Sequence, residues 1–152
     1  MGPVLLDTSL YVTALRAGKE ALFELRRFTP TSALWLSSVV IEELYAGATP
    51  QDTRTIERLE RDFHKAKRIL VPNISDWSAC GKVLARLATK YDFEQIGQAR
   101  LTNDALIAMS AGRCGITVLT ANERDFARLA EFRPFGWEVR TAPNPQRRKL
   151  ER

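Results

Sequence analysis

One histidine, His64, and two cysteines, Cys80 and Cys114, are all that the 152-residue chain offers of the side chains that most often carry nucleophilic or zinc chemistry. The cysteines lack CxxC spacing and a neighbouring histidine, which excludes a zinc pattern. Each sits in an apolar helical context, so both are expected as buried free thiols in a reducing compartment rather than as a disulfide. No apolar run approaches the roughly 20 residues of a membrane-spanning helix. The N-terminus has no basic segment followed by a long apolar stretch and a cleavage site. A soluble, unprocessed, cytoplasmic protein with no membrane partner is the expectation. A Gly-rich phosphate loop and a Ser or Cys nucleophile motif are also missing.

What is present is enough hydrophobic sequence, 45% of residues, to build one compact domain, in a chain too short for two. Lys and Arg number 23 against 18 Asp and Glu, a net charge of +5 that attracts polyanions. Part of the excess is local: Arg147, Arg148, Lys149 and Arg152 fall in a Pro-containing tail that begins near Ala142. Solvation of a flexible tail accounts for these charges as well as nucleic-acid contact does.

Periodicity predicts a short buried strand from Val4 to Asp7, a helix from about Ser9, and a second helix from Lys19 to Phe28 with Leu22, Phe23, Leu25 and Phe28 toward the core. Leu34-Trp35-Leu36 reads as a strand. Ser38 is expected to cap the next helix, which Gly47 ends. Ile56, Leu59 and Phe63 mark an amphipathic outer helix over Gln51–Ala66, and Arg68–Val71 is strand-like. Ser75 or Asp76 is expected to cap a helix reaching Tyr91. Asp92 to Leu101 reads as a loop, with Thr102 or Asn103 capping a helix that starts near Asp104. Ile116–Thr120 is strand-like, Arg124–Phe132 is helical, and Trp137–Arg140 forms a last edge strand. Strands alternating with helices predict a mainly parallel sheet covered on both faces.

Four carboxylates stand where these elements meet. Asp7 closes Val4-Leu5-Leu6, Glu43 follows Val39-Val40-Ile41, Asp104 opens Ala105 to Met109, and Asp125 comes shortly after Ile116 to Thr120. In right-handed crossovers the helices run antiparallel to the strands, so helix starts gather where strands end. All four should therefore face the crevice in which open α/β sheets bind ligands. Brought together they would repel, and a divalent cation is the usual remedy. Each alone could be a helix cap worth about 1 kcal/mol.

The segments Leu5-Leu6-Asp7-Thr8-Ser9, Glu43-Leu44-Tyr45-Ala46-Gly47, Asp104-Ala105-Leu106-Ile107-Ala108 and Leu119-Thr120-Ala121-Asn122-Glu123-Arg124-Asp125-Phe126 together resemble the PIN-domain ribonucleases. The resemblance is closest to the VapC-type toxins of toxin–antitoxin pairs. It implies a PIN-like three-layer α/β/α sandwich over residues 1–141, followed by a basic, flexible tail over 142–152. It implies Mg²⁺ or Mn²⁺ held by the catalytic residues Asp7, Glu43, Asp104 and Asp125, with Thr8, Thr120 and Asn122 in support. The family's Glu-Leu-x-x-Gly pattern selects Glu43 over Glu42. Also implied are an RNA substrate, a small DNA-binding, VapB-like antitoxin as partner, and a homodimer. An RNA-processing nuclease without an antitoxin, or a non-catalytic RNA- or protein-binding PIN domain, is the alternative.

The chemistry agrees with the resemblance. Hard cations take oxygen ligands, and a metal-bound water needs no protein base, which suits a chain whose lone His64 lies on the outer helix. A haloacid-dehalogenase phosphatase would need a second Asp where Ser9 stands. A response-regulator receiver would need a phosphoacceptor Asp after Ile69-Leu70-Val71, where Pro72-Asn73 follows. Arg100, Arg113 and Arg124 flank the acidic motifs and are candidates for RNA phosphate contacts. Trp35, Trp77, Trp137, Phe23, Phe28, Phe63 and Phe93 are expected to pack in the core rather than stack on bases.

Overall fold

The protein was analysed as a computed structural model, which describes residues 2–28, 33–92 and 98–141. Within these, the elements run β1 (Val4–Leu6), α1 (Thr8–Ala17), α2 (Lys19–Phe28), β2 (Leu34–Ser37), α3 (Ser38–Ala46), α4 (Pro50–Lys65), β3 (Ile69–Leu70), α5 (Ile74–Lys90), α6 (Gln98–Arg113), β4 (Thr117–Thr120), α7 (Glu123–Ala130) and β5 (Trp137–Val139). The five strands form one sheet in the order β3-β2-β1-β4-β5, and every neighbouring pair is parallel.

β1 lies at the centre because its three residues, Val4, Leu5 and Leu6, are apolar on both faces and all are buried. Val4 pairs with Leu34 of β2 and with Thr117 of β4, so the strand order reverses beside β1. Helices α1–α4 pack among themselves, as do α5–α7, forming the two outer layers around the sheet. This is the α/β/α sandwich. Helices α3 and α6 also touch, which joins the layers where two of the acidic residues lie.

The caps set the edge at which the chain turns. The Asp7 side chain accepts from the Ser9 N–H at 3.1 Å and starts α1. Gly18 ends that helix with φ +107°, a conformation that L side chains rarely adopt. Ser37, not Ser38, caps α3: its extended backbone and its Oγ, which accepts from the Val39 N–H at 3.2 Å, place it one residue before the first helical turn. Asn73, not Ser75 or Asp76, caps α5, and Asp76 closes the reciprocal box by accepting from the Asn73 N–H at 2.9 Å.

Further differences from expectation are local. Helix α6 begins at Gln98, so Asp104 is its seventh residue and neither Thr102 nor Asn103 is its cap. Residues 93–97, Phe93 among them, and the tail 142–152 lie outside the described residues, as does the Phe28 side chain. Phe23 and Trp77 are 67% and 54% exposed, because Leu22 and Leu25 and then Ala79, Cys80, Val83 and Leu87 supply the buried stripes of their helices. Phe63 is buried, while Trp35 and Trp137 pack partly buried against the core. Both thiols are free, but Cys114 is exposed because it sits one residue past the end of α6. His64 is exposed on α4. Among the described residues no helix is long and apolar enough to cross a membrane.

Candidate active site

The parallel sheet sends β1, β2 and β4 to the same edge, and the acidic residues follow from that. Asp7 comes directly after β1, and its backbone N–H is fixed to Leu119 O of β4 at 2.9 Å. Glu43 is the sixth residue of α3, the helix that leaves β2. Asn122 caps α7 after β4 and places Asp125 in its first turn. Asp104 reaches the same region from α6.

Hydrogen bonds run through the group. Thr120 Oγ1 donates to Asp7 Oδ2 at 2.6 Å and accepts from the Asn122 N–H at 2.9 Å. Asn122 Nδ2 in turn donates to Asp125 Oδ2 at 2.9 Å and, at the long limit of 3.5 Å, to Asp104 Oδ2. On the other side, Thr8 Oγ1 donates to Glu43 Oε1 at 2.8 Å. Thr8, Thr120 and Asn122 thus hold the carboxylates from positions that sequence spacing alone marks only as turn residues.

Two further residues belong to this network. Ser9 Oγ donates to Asp7 Oδ1 and accepts from the Ala121 N–H at 3.2 Å, tying the turn after β1 to the turn after β4. Asn103 Nδ2 donates to Glu42 Oε2 at 3.3 Å, beside Glu43 on α3. The sequence marks Ser9 as the start of the first helix, with no sign of its bond across to the turn after β4. It marks Asn103 only as a candidate cap, because the contact joins α6 to a helix 61 positions away.

Electrostatics separates this group from ordinary surface charge. Asp7 and Asp104 are buried, and Glu43 is half-buried. Burial holds the Asp7 carboxyl above its ordinary value despite the hydrogen bonds from Ser9 and Thr120 that favour the anion. Burial also raises Glu43. Thr8 opposes that shift, and the charges of Glu42 and Asp7 add to it. Among the described residues no Lys or Arg forms an ion pair with Asp7 or Glu43.

Asp7, Glu43, Asp104 and Asp125 are hard oxygen donors held by neutral hydroxyls and an amide, a set that fits a hard divalent cation. Among the described residues no three acidic, His or Cys side chains close into a ready cage.

The arginines divide. Arg124 is exposed in the first turn of α7, one residue from Asp125. Arg113 is not brought to the crevice: it ends α6, about 13 Å of helix from Asp104 at 1.5 Å per residue. Its guanidinium grips buried Asp76 with both Nε contacts at 3.0 Å and Nη2 at 2.9 Å. A partner supplied by α5 is invisible from the neighbourhood of Arg113 in sequence. The Arg100 side chain lies outside the described residues.

Comparison with known proteins agrees with this architecture. No curated protein matches the sequence. Among solved structures, DNA-bound VapBC from Salmonella typhimurium superposes with a TM-score of 0.65 at 25% identity, over 91% of this chain and 98% of that one. VapBC2 from Rickettsia felis, bound to a promoter DNA fragment, gives 0.61 at 22% identity, over 91% and 98%. VapBC-1 from nontypeable Haemophilus influenzae gives 0.59 at 23%, over 90% and 96%. The PIN domain family model matches residues 4–132, a span that includes all four carboxylates and the turns that hold them. The chain belongs to the PIN domain family.

Proposed function

We propose that the protein is a Mg²⁺- or Mn²⁺-dependent endoribonuclease and the toxin of a toxin–antitoxin pair. Membership of a nuclease family supports the coarse reading. The observation that carries the finer one is the network in which Thr8, Thr120 and Asn122 hold four carboxylates at one sheet edge, with Asp7 and Glu43 raised by burial. When bound, the cation supplies an activated water and neutralises charge on the phosphoryl oxygens.

The chain's own groups bind and orient. Ser9 and Thr120 fix the Asp7 carboxylate on both oxygens, and Thr8 fixes Glu43 through Oε1. Asn122 sets Asp125. Water attacks phosphorus in line with the departing O3′, leaving a 5′-phosphate and a 3′-hydroxyl. The net charge of +5 draws the polyanion to a protein whose reacting edge is acidic.

A small antitoxin of the VapB kind is the partner in this reading, because the structural neighbours are VapBC complexes, some of them bound to DNA. A homodimer is the expected assembly of the toxin.

Purified protein is expected to cleave single-stranded or loop RNA with Mg²⁺ or Mn²⁺ and to lose that activity in excess EDTA. Cleavage undiminished by EDTA would sink the metal reading. In cells, expression of the chain alone is expected to arrest growth, Asp7→Asn to be harmless, and co-expression of a neighbouring small DNA-binding protein to rescue growth. Harmless expression of a nuclease that is active in vitro would point to RNA processing instead. Harmless expression with no cleavage of any RNA would leave a binding domain.

A further inference from the structure

Glu42 and Glu43 are adjacent on α3, yet their surroundings differ. Glu43 is half-buried and held by Thr8 Oγ1 at 2.8 Å, whereas Glu42 is exposed and forms no ion pair with Lys or Arg among the described residues. As a merely solvated charge Glu42 would be a liability, because it pushes the Glu43 carboxyl further above its ordinary value. Its carboxylate nevertheless has a defined partner. Asn103 Nδ2 donates to Glu42 Oε2 at 3.3 Å, from a position 61 residues further along the chain on α6.

Asn103 precedes Asp104 just as Glu42 precedes Glu43. Consecutive residues on an α-helix point about 100° apart. Each helix therefore presents one side chain to the other helix and the next one to the crevice. Glu42 and Asn103 meet each other, while Glu43 reaches Thr8 and Asp104 reaches Asn122. Thr8 belongs to α1 and Asn122 caps α7, so neither of those bonds spans from α3 to α6. The Asn103–Glu42 bond does, where the two helices touch. It fixes how far each helix is turned about its own axis, and with that the direction in which Glu43 and Asp104 point.

We propose that Asn103 and Glu42 form a strap between α3 and α6 that positions Glu43 and Asp104 to receive one divalent cation. Neither touches the cation, so both are positioning residues. The inference rests on the metal-dependent reading for its cation. A neutral donor suits the place, since Lys or Arg at position 103 would also bond Glu42 but would set a positive charge beside the cation's seat.

The test reads metal binding directly. Mn²⁺ is titrated into RNA-free protein at about 0.5 M salt, where exposed charges more than a few Å apart are screened, and the unbound ion is followed by electron paramagnetic resonance. Wild type is compared with Asn103→Ala, Glu42→Ala, the double variant and Glu42→Gln, with folding checked by circular dichroism. Asn103→Ala and Glu42→Ala are each expected to raise the Mn²⁺ Kd about fivefold, below the roughly ten- to hundredfold that follows loss of a residue bonded to a ligand itself. The double variant is expected to match either single one, the mark of one shared bond. Glu42→Gln keeps an acceptor oxygen and is expected to stay within about twofold of wild type. In cleavage assays the loss should vanish at saturating Mn²⁺, with KM for RNA unchanged. A wild-type Kd in Asn103→Ala overturns the strap and leaves the metal reading standing. So does Glu42→Gln binding as weakly as Glu42→Ala, which would show that charge alone acts. A normal Kd with a raised KM for RNA would put both residues on the substrate, and the positioning role would be wrong. If wild type binds no Mn²⁺, the metal reading falls and the strap falls with it.

Discussion

Asp7→Asn is expected to lower RNA cleavage on the order of a thousandfold while leaving the metal-free protein as stable as wild type or more so. Asparagine keeps the shape and an acceptor oxygen, so it still caps α1 through the Ser9 N–H. It removes the negative charge that burial makes costly. The pH dependence follows from the direction of the shift. Asp7 has its folded pKa raised above the ordinary 3.8, so the folded state binds the proton more tightly than the unfolded chain. The associated stability is present below that ordinary value and is lost as pH rises through the raised one. Melting curves in EDTA should therefore show Asp7→Asn gaining on wild type between acid and neutral pH, with the two converging below about pH 4. A strong drop in the metal-free melting temperature of Asp7→Asn at neutral pH would instead make Asp7 a structural cap and remove it from the site.

Much of this site was legible because its residues sit at element boundaries. Asp7 after Val4-Leu5-Leu6, Glu43 before Leu44 and Gly47, and Asn122 three residues before Asp125 are each local patterns, and a parallel sheet needs only correct strand order to bring them to one edge. What escaped the sequence depends on neighbours distant along the chain. Ser37 and Ser38 are equally good caps on paper, and only the extended backbone at Ser37, φ −80° and ψ 138°, decides between them. Phe23 is as apolar as Leu22, yet the α1–α2 packing that selects the buried stripe of α2 is not written within that helix. Asn103 and Arg113 were read from their sequence neighbour Asp104, although their contacts are with Glu42 and Asp76.

The Asp76–Arg113 pair leads to the second large expected effect, on stability rather than cleavage. Asp76 is 2% exposed and serves two purposes: it closes the capping box of α5 and it receives the forked Arg113 guanidinium from α6. Asp76→Ala removes both at once. Losing one partner of a buried pair costs about 3–5 kcal/mol when the other charge is stranded, but the Arg113 side chain is 36% exposed and can turn to water. The pair should therefore fall below that range, at about 2 kcal/mol, and the lost cap adds about 1 kcal/mol. A total near 3 kcal/mol lowers the melting temperature of a domain this size by on the order of 10 °C. Asp76→Asn keeps an acceptor for the Asn73 N–H and loses only the charge, so it should fall between Ala and wild type. Cleavage per folded molecule, measured well below the melting transition, should be unchanged in both variants, because no contact of Asp76 reaches a carboxylate of the crevice. A melting temperature within 2 °C of wild type for Asp76→Ala, by the same scaling, would show that α5 and α6 are held by their apolar stripe alone. Loss of cleavage without loss of stability would mean that this pair, and not only the turn at Asn122, sets the position of Asp104.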